Sequence, residues 1–154
     1  MNNKSKSRQN SLSFETFFRL YLDAVRSKML FFLYPFYYTD VEVLLKCLEK
    51  DSRIAGYQVQ SVVGNLTADQ EQEKNEKCIK IFLNHDLVRN RPLVQKITFY
   101  SSQGRKRIAT VKTLQQFRIQ YPNSLAILGT HKGILSIQDC ILNNCGGEFL
   151  ISIA

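Results

Sequence analysis

The run Gly129-Thr130-His131-Lys132-Gly133 sets a hydroxyl, an imidazole and an ammonium side by side between glycines. Further on, Gly146-Gly147-Glu148 puts a carboxylate directly after a glycine pair, ahead of the hydrophobic run 149–154. The Thr130 hydroxyl can donate and accept, which suits a phosphate or a ribose 2′-OH. Lys132 offers a point charge for a phosphate, and His131 can stack on an unpaired base or donate to phosphate. Gly129 and Gly133 keep the turn free of Cβ bulk, so its backbone N–H groups can face outward. Gly146 and Gly147 let the backbone turn sharply and approach something closely. Glu148 can accept hydrogen bonds from a base amino group or a 2′-OH, or fix the neighbouring turn. Taken alone, the first run reads as an ordinary hairpin with a solvated lysine, and Glu148 as a strand-edge charge.

The charge distribution changes that weighing. The chain has 154 residues and a formal charge of +8. No Asp or Glu occurs from Leu87 to Gln138, where nine basic residues stand: Arg89, Arg91, Lys96, Arg105, Lys106, Arg107, Lys112, Arg118 and Lys132. The remainder holds 12 basic and 13 acidic residues, so the whole positive excess lies in this segment. A solvated structural face mixes signs; a long acid-free basic stretch points to a polyanion partner. Within it, Arg105-Lys106-Arg107 forms a tight basic turn suited to clamping phosphates.

Other chemistries lack their residues. His85 and His131 are the only histidines, and neither has Asp, Glu or Cys at metal-ligand spacing. No nucleophile elbow, phosphate-binding glycine loop or dinucleotide fingerprint is present. Cys47, Cys78, Cys140 and Cys145 make no Cys-x-x-Cys pair and read as reduced thiols in a reducing compartment. The expectation is therefore no enzyme, no metal, no cofactor and no small-molecule substrate. The longest apolar run, Met29 to Tyr38, is broken by Pro35 and too short to span a bilayer, so no membrane partner is expected. The polar first residues lack the hydrophobic stretch of a secretory signal.

The elements that must position these residues follow from periodicity and punctuation. Residues 1–12 are expected to be a disordered basic tail. Ser13 to Ser27 has helical spacing in Phe14, Phe17, Phe18, Tyr21, Leu22 and Val25, with Ser13 as N-cap. Met29 to Tyr38 reads as a strand. Thr39 and Glu42 make a capping box for a helix burying Val41, Leu44, Leu45 and Leu48. Strands follow at Ile54 to Val63 and Cys78 to Leu83, around a polar loop at Gly64 to Lys77. This α-β-α-β-β lobe spans 13–86, and Asn84 to Pro92 marks its boundary. The second lobe, 87–154, is expected to be mostly β. Its strands are Val94 to Tyr100, Lys106 to Val111, Ser124 to Leu128 and Phe149 to Ile153, the last closing the sheet. Thr113 to Phe117 is a short helix with Thr113 and Gln116 able to cap it. Ser136 caps another before the last strand, with Gly146 ending it. The class is α+β, in two small lobes.

The order and spacing of Thr130, Lys132, Gly133, Gly146, Gly147 and Glu148, with the closing strand, resemble the bacterial-type small-subunit ribosomal protein eight family. That family carries a Ser-Thr-Ser-Lys-Gly turn, a short helix, Gly-Gly-Glu and a final hydrophobic strand. Gly129 and His131 replace its serines here, and the resemblance extends more weakly from Ser13 onward. Gly104-Arg105-Lys106-Arg107-Ile108-Ala109 stands where members often have Arg-Pro-Gly-x-Arg-Ile-Tyr, so the proline is missing and Ala109 replaces the tyrosine. The resemblance implies a structural protein that binds the central domain of small-subunit rRNA through its C-terminal lobe, beside neighbouring small-subunit proteins. It also implies basic contacts at Arg26 and Lys28, although the aromatics around them could serve a partner protein instead. The divergent turn, and a composition like that of AT-rich organelle genomes, favour a mitochondrial ribosome over a plastid or bacterial cytoplasmic one. Two rivals remain open: a non-ribosomal RNA-binding regulator, and a protein-interaction module working through strand 31–38.

Overall fold

A computed structural model describes the backbone of residues 3–62, 76–101 and 104–154, and their side chains except at 3–13, 62, 76 and 92. The chain order is helix α1 (Asn3–Arg26), strand β1 (Phe31–Tyr34), α2 (Thr39–Lys50), β2 (Ile54–Val62) and β3 (Glu76–Leu83). The short strands β4 (His85–Asp86), β5 (Arg91–Pro92), β6 (Ile97–Phe99) and β7 (Ile108–Ala109) follow. The remainder is α3 (Val111–Gln120), β8 (Leu125–Thr130), β9 (Gly133–Ser136), α4 (Ile137–Leu142) and β10 (Gly147–Ile153). Mixed α+β architecture and the α-β-α-β-β start agree with the sequence pattern.

Several boundaries differ, each for a local reason. The first helix starts at Asn3, so Ser13 lies inside it rather than at its cap, and residues 3–12 of the expected disordered tail are helical. Once a helix is nucleated by its apolar face, extending it through Ser, Lys, Arg and Gln is inexpensive. β1 covers four residues of the aromatic run and stops before Pro35, which has no N–H for a ladder. The Thr39–Glu42 capping box does not form. Tyr38 occupies the cap position without a side-chain bond, and the Glu42 carboxylate accepts from the Tyr37 hydroxyl instead. The next cap also shifts: Thr110, extended at φ −87° and ψ 164°, accepts the Thr113 N–H, so α3 begins at Val111 and runs to Gln120. Ser136 caps α4 as expected, its Oγ accepting from the Asp139 N–H at 3.3 Å. The helix ends at Leu142 with Asn143 as its C-cap, and Asn144, at φ 50°, rather than Gly146, takes the left-handed position after it. The polar loop of 64–77 lies almost entirely outside the described residues.

Three antiparallel strands form one sheet in the order β1-β3-β2. The larger sheet runs β6-β10-β8-β9, with β7 also paired to β10, and β4 and β5 make a separate ribbon. Two features escaped the periodicity. Gly133-Ile134-Leu135-Ser136 is a strand, which turns the glycine-bracketed run into a hairpin. And β10 lies in the interior of its sheet, bonded to β8 on one side and to β6 and β7 on the other. A bulge between Phe149 and Ile151 breaks its alternation.

The larger sheet separates two cores. Leu125 and Ile127 of β8, with Ile151 and Ile153 of β10, pack with Phe17, Phe18 and Tyr21 of α1 and Leu44, Leu45 and Leu48 of α2. Ala126 and Leu128, with Phe149, pack on the other side against Leu114 of α3 and Ile137 and Cys140 of α4. A strand covered on both faces reads as the continuous run Leu-Ala-Ile-Leu. Arg53 ties the first sheet to the second half of the chain. Its guanidinium donates to the Leu93 and Asn123 carbonyls and pairs with Asp51 at 2.8 Å, while its own carbonyl accepts from the Tyr21 hydroxyl at 3.0 Å.

Replacing Arg53 by Ala leaves the part-buried Leu93 carbonyl without its donor and the exposed Asn123 carbonyl to water, and is expected to cost roughly 1–2 kcal/mol. Arg53→Lys should recover only part, because one ammonium cannot match the fork. Urea midpoints of the three proteins check this. Burial, with the Cys145 thiol beside it, pushes the Cys140 thiol up to about 12 from 9.0. The folded chain thus holds this proton more tightly than the unfolded one. Its stabilising effect is complete below about pH 9 and is lost as pH rises toward about 12. The stability difference between wild type and Cys140→Ala should therefore shrink between pH 9 and 11, read from urea melts.

Candidate nucleic-acid interface

The hairpin of β8 and β9 pairs Thr130 directly with Gly133, leaving His131 and Lys132 at its exposed tip. Thr130 organises this tip. Its hydroxyl donates to the Gly133 carbonyl at 2.9 Å and accepts the Lys132 N–H at 3.1 Å. The hydroxyl proton and that N–H thus serve the turn, which differs from the outward role expected for both. Gly133 adopts φ 104°, a conformation L side chains rarely take, with open space around it. His131 and Lys132 are left projecting from a turn whose geometry is fixed by its own bonds.

The glycine pair acts by close approach. A Cβ on Gly147 would stand 2.5 Å from the Gly129 carbonyl oxygen and 2.9 Å from Thr130 Cγ2. On Gly146 it would stand 2.5 Å from the Ala109 carbonyl oxygen. Neither position has room for a side chain, because both contacts are to backbone. The two glycines therefore hold β10 against β7 on one side and against the root of the hairpin on the other.

Glu148 follows directly, half-buried, with Ile108 and Gly129 as its cross-strand neighbours. The Phe149 N–H donates to the Arg107 carbonyl at 2.7 Å, so the basic turn Arg105-Lys106-Arg107 is fastened beside Glu148. Ser101 secures this: its hydroxyl donates to the Phe149 carbonyl at 2.8 Å and accepts the Arg107 N–H at 3.2 Å. The Arg107 guanidinium sits 5.9 Å from the Tyr100 ring centre, and Tyr100 packs edge-on to Phe149 at 4.5 Å. No sequence signal marked Ser101 or Tyr100, because their roles depend on a register that periodicity does not give.

The fold thus joins Thr130, His131, Lys132, Gly133, Gly146, Gly147, Glu148 and Arg105 to Arg107 around the start of β10. It does not join Arg26 and Lys28 to them. Those lie exposed at the end of α1, where Lys28 takes φ 54° and leads into β1 of the other sheet. Of the nine basic residues in the acid-free segment, Arg89 makes an ion pair, with Asp86 at 4.0 Å. The other eight are exposed and have no carboxylate partner among the described residues. Exposed cations left without counter-charges are the electrostatic footprint of a polyanion site. Among the described residues no group of three potential metal ligands occurs, and no helix is long and apolar enough to cross a membrane.

The fold is thus α+β, with a hairpin, a glycine crossing and a basic turn around one strand and with exposed cations that have no carboxylate partner among the described residues. The chain belongs to the ribosomal protein S8 family, whose model matches residues 39–153. It is also 34% identical over 80 residues to the small ribosomal subunit protein uS8m of Acanthamoeba castellanii. The match covers 52% of this chain and 61% of that relative.

Gly147→Ala and Gly146→Ala should each destabilise the fold by roughly 1–3 kcal/mol, since backbone must move. Gly129→Ala, whose Cβ would meet only the Leu150 side chain at 3.7 Å, should be far milder. Thermal melts of the three variants decide whether the glycine pair or glycine content in general matters.

Proposed function

We propose that this chain is a structural constituent of the small subunit of a mitochondrial ribosome, where it binds the central domain of the small-subunit rRNA. Family membership supports the ribosomal role. The observation that supports the binding surface is the convergence of the hairpin, Glu148 and the basic turn on one strand, with eight exposed cations that have no carboxylate partner among the described residues. Lys132 and Arg105 to Arg107 neutralise phosphates. The protein reads rRNA by shape and by 2′-OH and phosphate contacts across a shallow minor groove. Glu148 supplies a carboxylate there that can accept from a base amino group or a 2′-OH. The mitochondrial setting rests on the uS8m relative and on the organelle-like composition and divergent turn. Assembly of the particle and support of translation follow from that role, with neighbouring small-subunit proteins as partners.

In gradient sedimentation of a mitochondrial lysate the chain should track the small subunit at moderate salt; migration free or with another particle would overturn the assignment. With purified chain and small-subunit rRNA, the logarithm of affinity should fall by roughly 0.7–0.9 per phosphate contact per decade of salt. Lys132→Ala should lower that slope by about one contact's worth.

A further inference from the structure

The first sheet ends in an open, apolar edge. β1 pairs only with β3 among the described strands, in the register Phe31↔Phe82 to Tyr34↔Ile79. The Leu83 N–H donates to the Leu30 carbonyl, so Leu30, Phe32 and Tyr34 are the positions whose backbone groups face β3. By the same alternation the N–H and C=O of Phe31 and Leu33 face the open side. The side chains of those two residues also point away from the core: Phe31 is 42% exposed and Leu33 53%, while Phe32 and Tyr34 are buried. Met29, Leu30, Phe36 and Tyr38 extend the exposed apolar patch along both ends of the strand.

Edges of this kind are usually blunted by charge or proline within the strand. Here Pro35 comes after the strand, so it limits the ladder's length without blocking it. The charge on this face is cationic. Lys80 stands opposite Leu33, its ammonium 4.1 Å from the centre of the Phe31 ring and 5.3 Å from that of Phe82. It has no carboxylate partner among the described residues. Arg26 and Lys28, which the rRNA-facing cluster does not include, lie exposed where the chain leads into β1.

We propose that the open edge of β1 is a strand-addition site for an extended segment of a neighbouring protein, one with apolar residues at alternate positions and a carboxylate that meets Lys80. Main-chain bonds to Phe31 and Leu33 give the affinity, and the exposed aromatic and aliphatic side chains give the register. A protein fits better than an RNA strand. Met29, Leu30 and Leu33 are aliphatic and offer no stacking surface, and the Lys80 ammonium already lies against the Phe31 ring. The inference does not rest on the rRNA-binding face, which lies on the other sheet.

The test uses the full chain in its native particle. A photo-crosslinking phenylalanine analogue at Leu33 should join one extended protein segment bearing a carboxylate, mapped by mass spectrometry. On the unmodified chain, the Phe31 and Leu33 amides should exchange rapidly when free and roughly tenfold or more slowly in the particle. Lys80→Glu should reverse much of that protection while the Phe32 amide remains protected. Crosslinks to rRNA or to a second copy of this chain would overturn the proposal, as would Phe31 and Leu33 exchange that is unchanged on assembly. Failure of the chain to sediment with ribosomal subunits would remove the ribosomal role alone, since the crosslink can be read in whatever particle holds the chain.

Discussion

The backbone crossing at Gly146 and Gly147 is the constraint on which the cationic face depends. Two successive residues without Cβ atoms let β10 lie against the Ala109 carbonyl on one flank and the Gly129 carbonyl on the other. Any side chain at either position would separate those flanks. With the crossing in place, Glu148 stands between Ile108 and Gly129, and the hairpin and the basic turn flank the start of β10. The glycines carry no side chain of their own; they set the distance between the groups proposed to meet rRNA.

What supports the crossing is the sheet behind it. β8 and β10 divide the apolar residues into two cores, so the strand that carries Glu148 is packed on both faces a few residues later. Polar fastenings then set the approach of each loop. Thr130 closes the hairpin, Ser101 ties the basic turn to Phe149, and Arg53 holds the chain that leads into β8. The charges themselves are left outside this network. Eight exposed cations with no carboxylate partner among the described residues repel one another in the isolated chain. A bound polyanion would relieve that repulsion, so the proposed binding and relief of self-repulsion would act together.

Much of this was legible in the sequence. Helical spacing from Phe14 to Val25, the alternation of Ile79, Ile81 and Leu83, and the Ser136–Asp139 cap are local signals, and each produced its element. The acid-free segment picked out eight cations that are exposed and, among the described residues, without a carboxylate partner. Caps whose outcome depends on a competing partner were not legible: Glu42 turns to Tyr37 instead of Thr39, and Thr110 takes the N–H of Thr113. Nor was β9, because four residues after a glycine turn carry little periodicity of their own. The place of β10 inside the sheet, and with it the meaning of Gly146, Ser101 and Tyr100, depends on pairing between segments far apart in sequence. A resemblance to a known family named the candidate residues; the pairing shows why two of them must be glycine.

The most direct test of the account is acylation of surface lysines on the folded chain with and without small-subunit rRNA, read residue by residue by mass spectrometry. Lys106 and Lys132, on the loops that flank the start of β10, should be protected together, while Lys46 and Lys50, exposed on α2, should remain reactive. Protection of only one of the first pair, or equal protection of all four, would contradict a single rRNA-facing surface built on the glycine crossing.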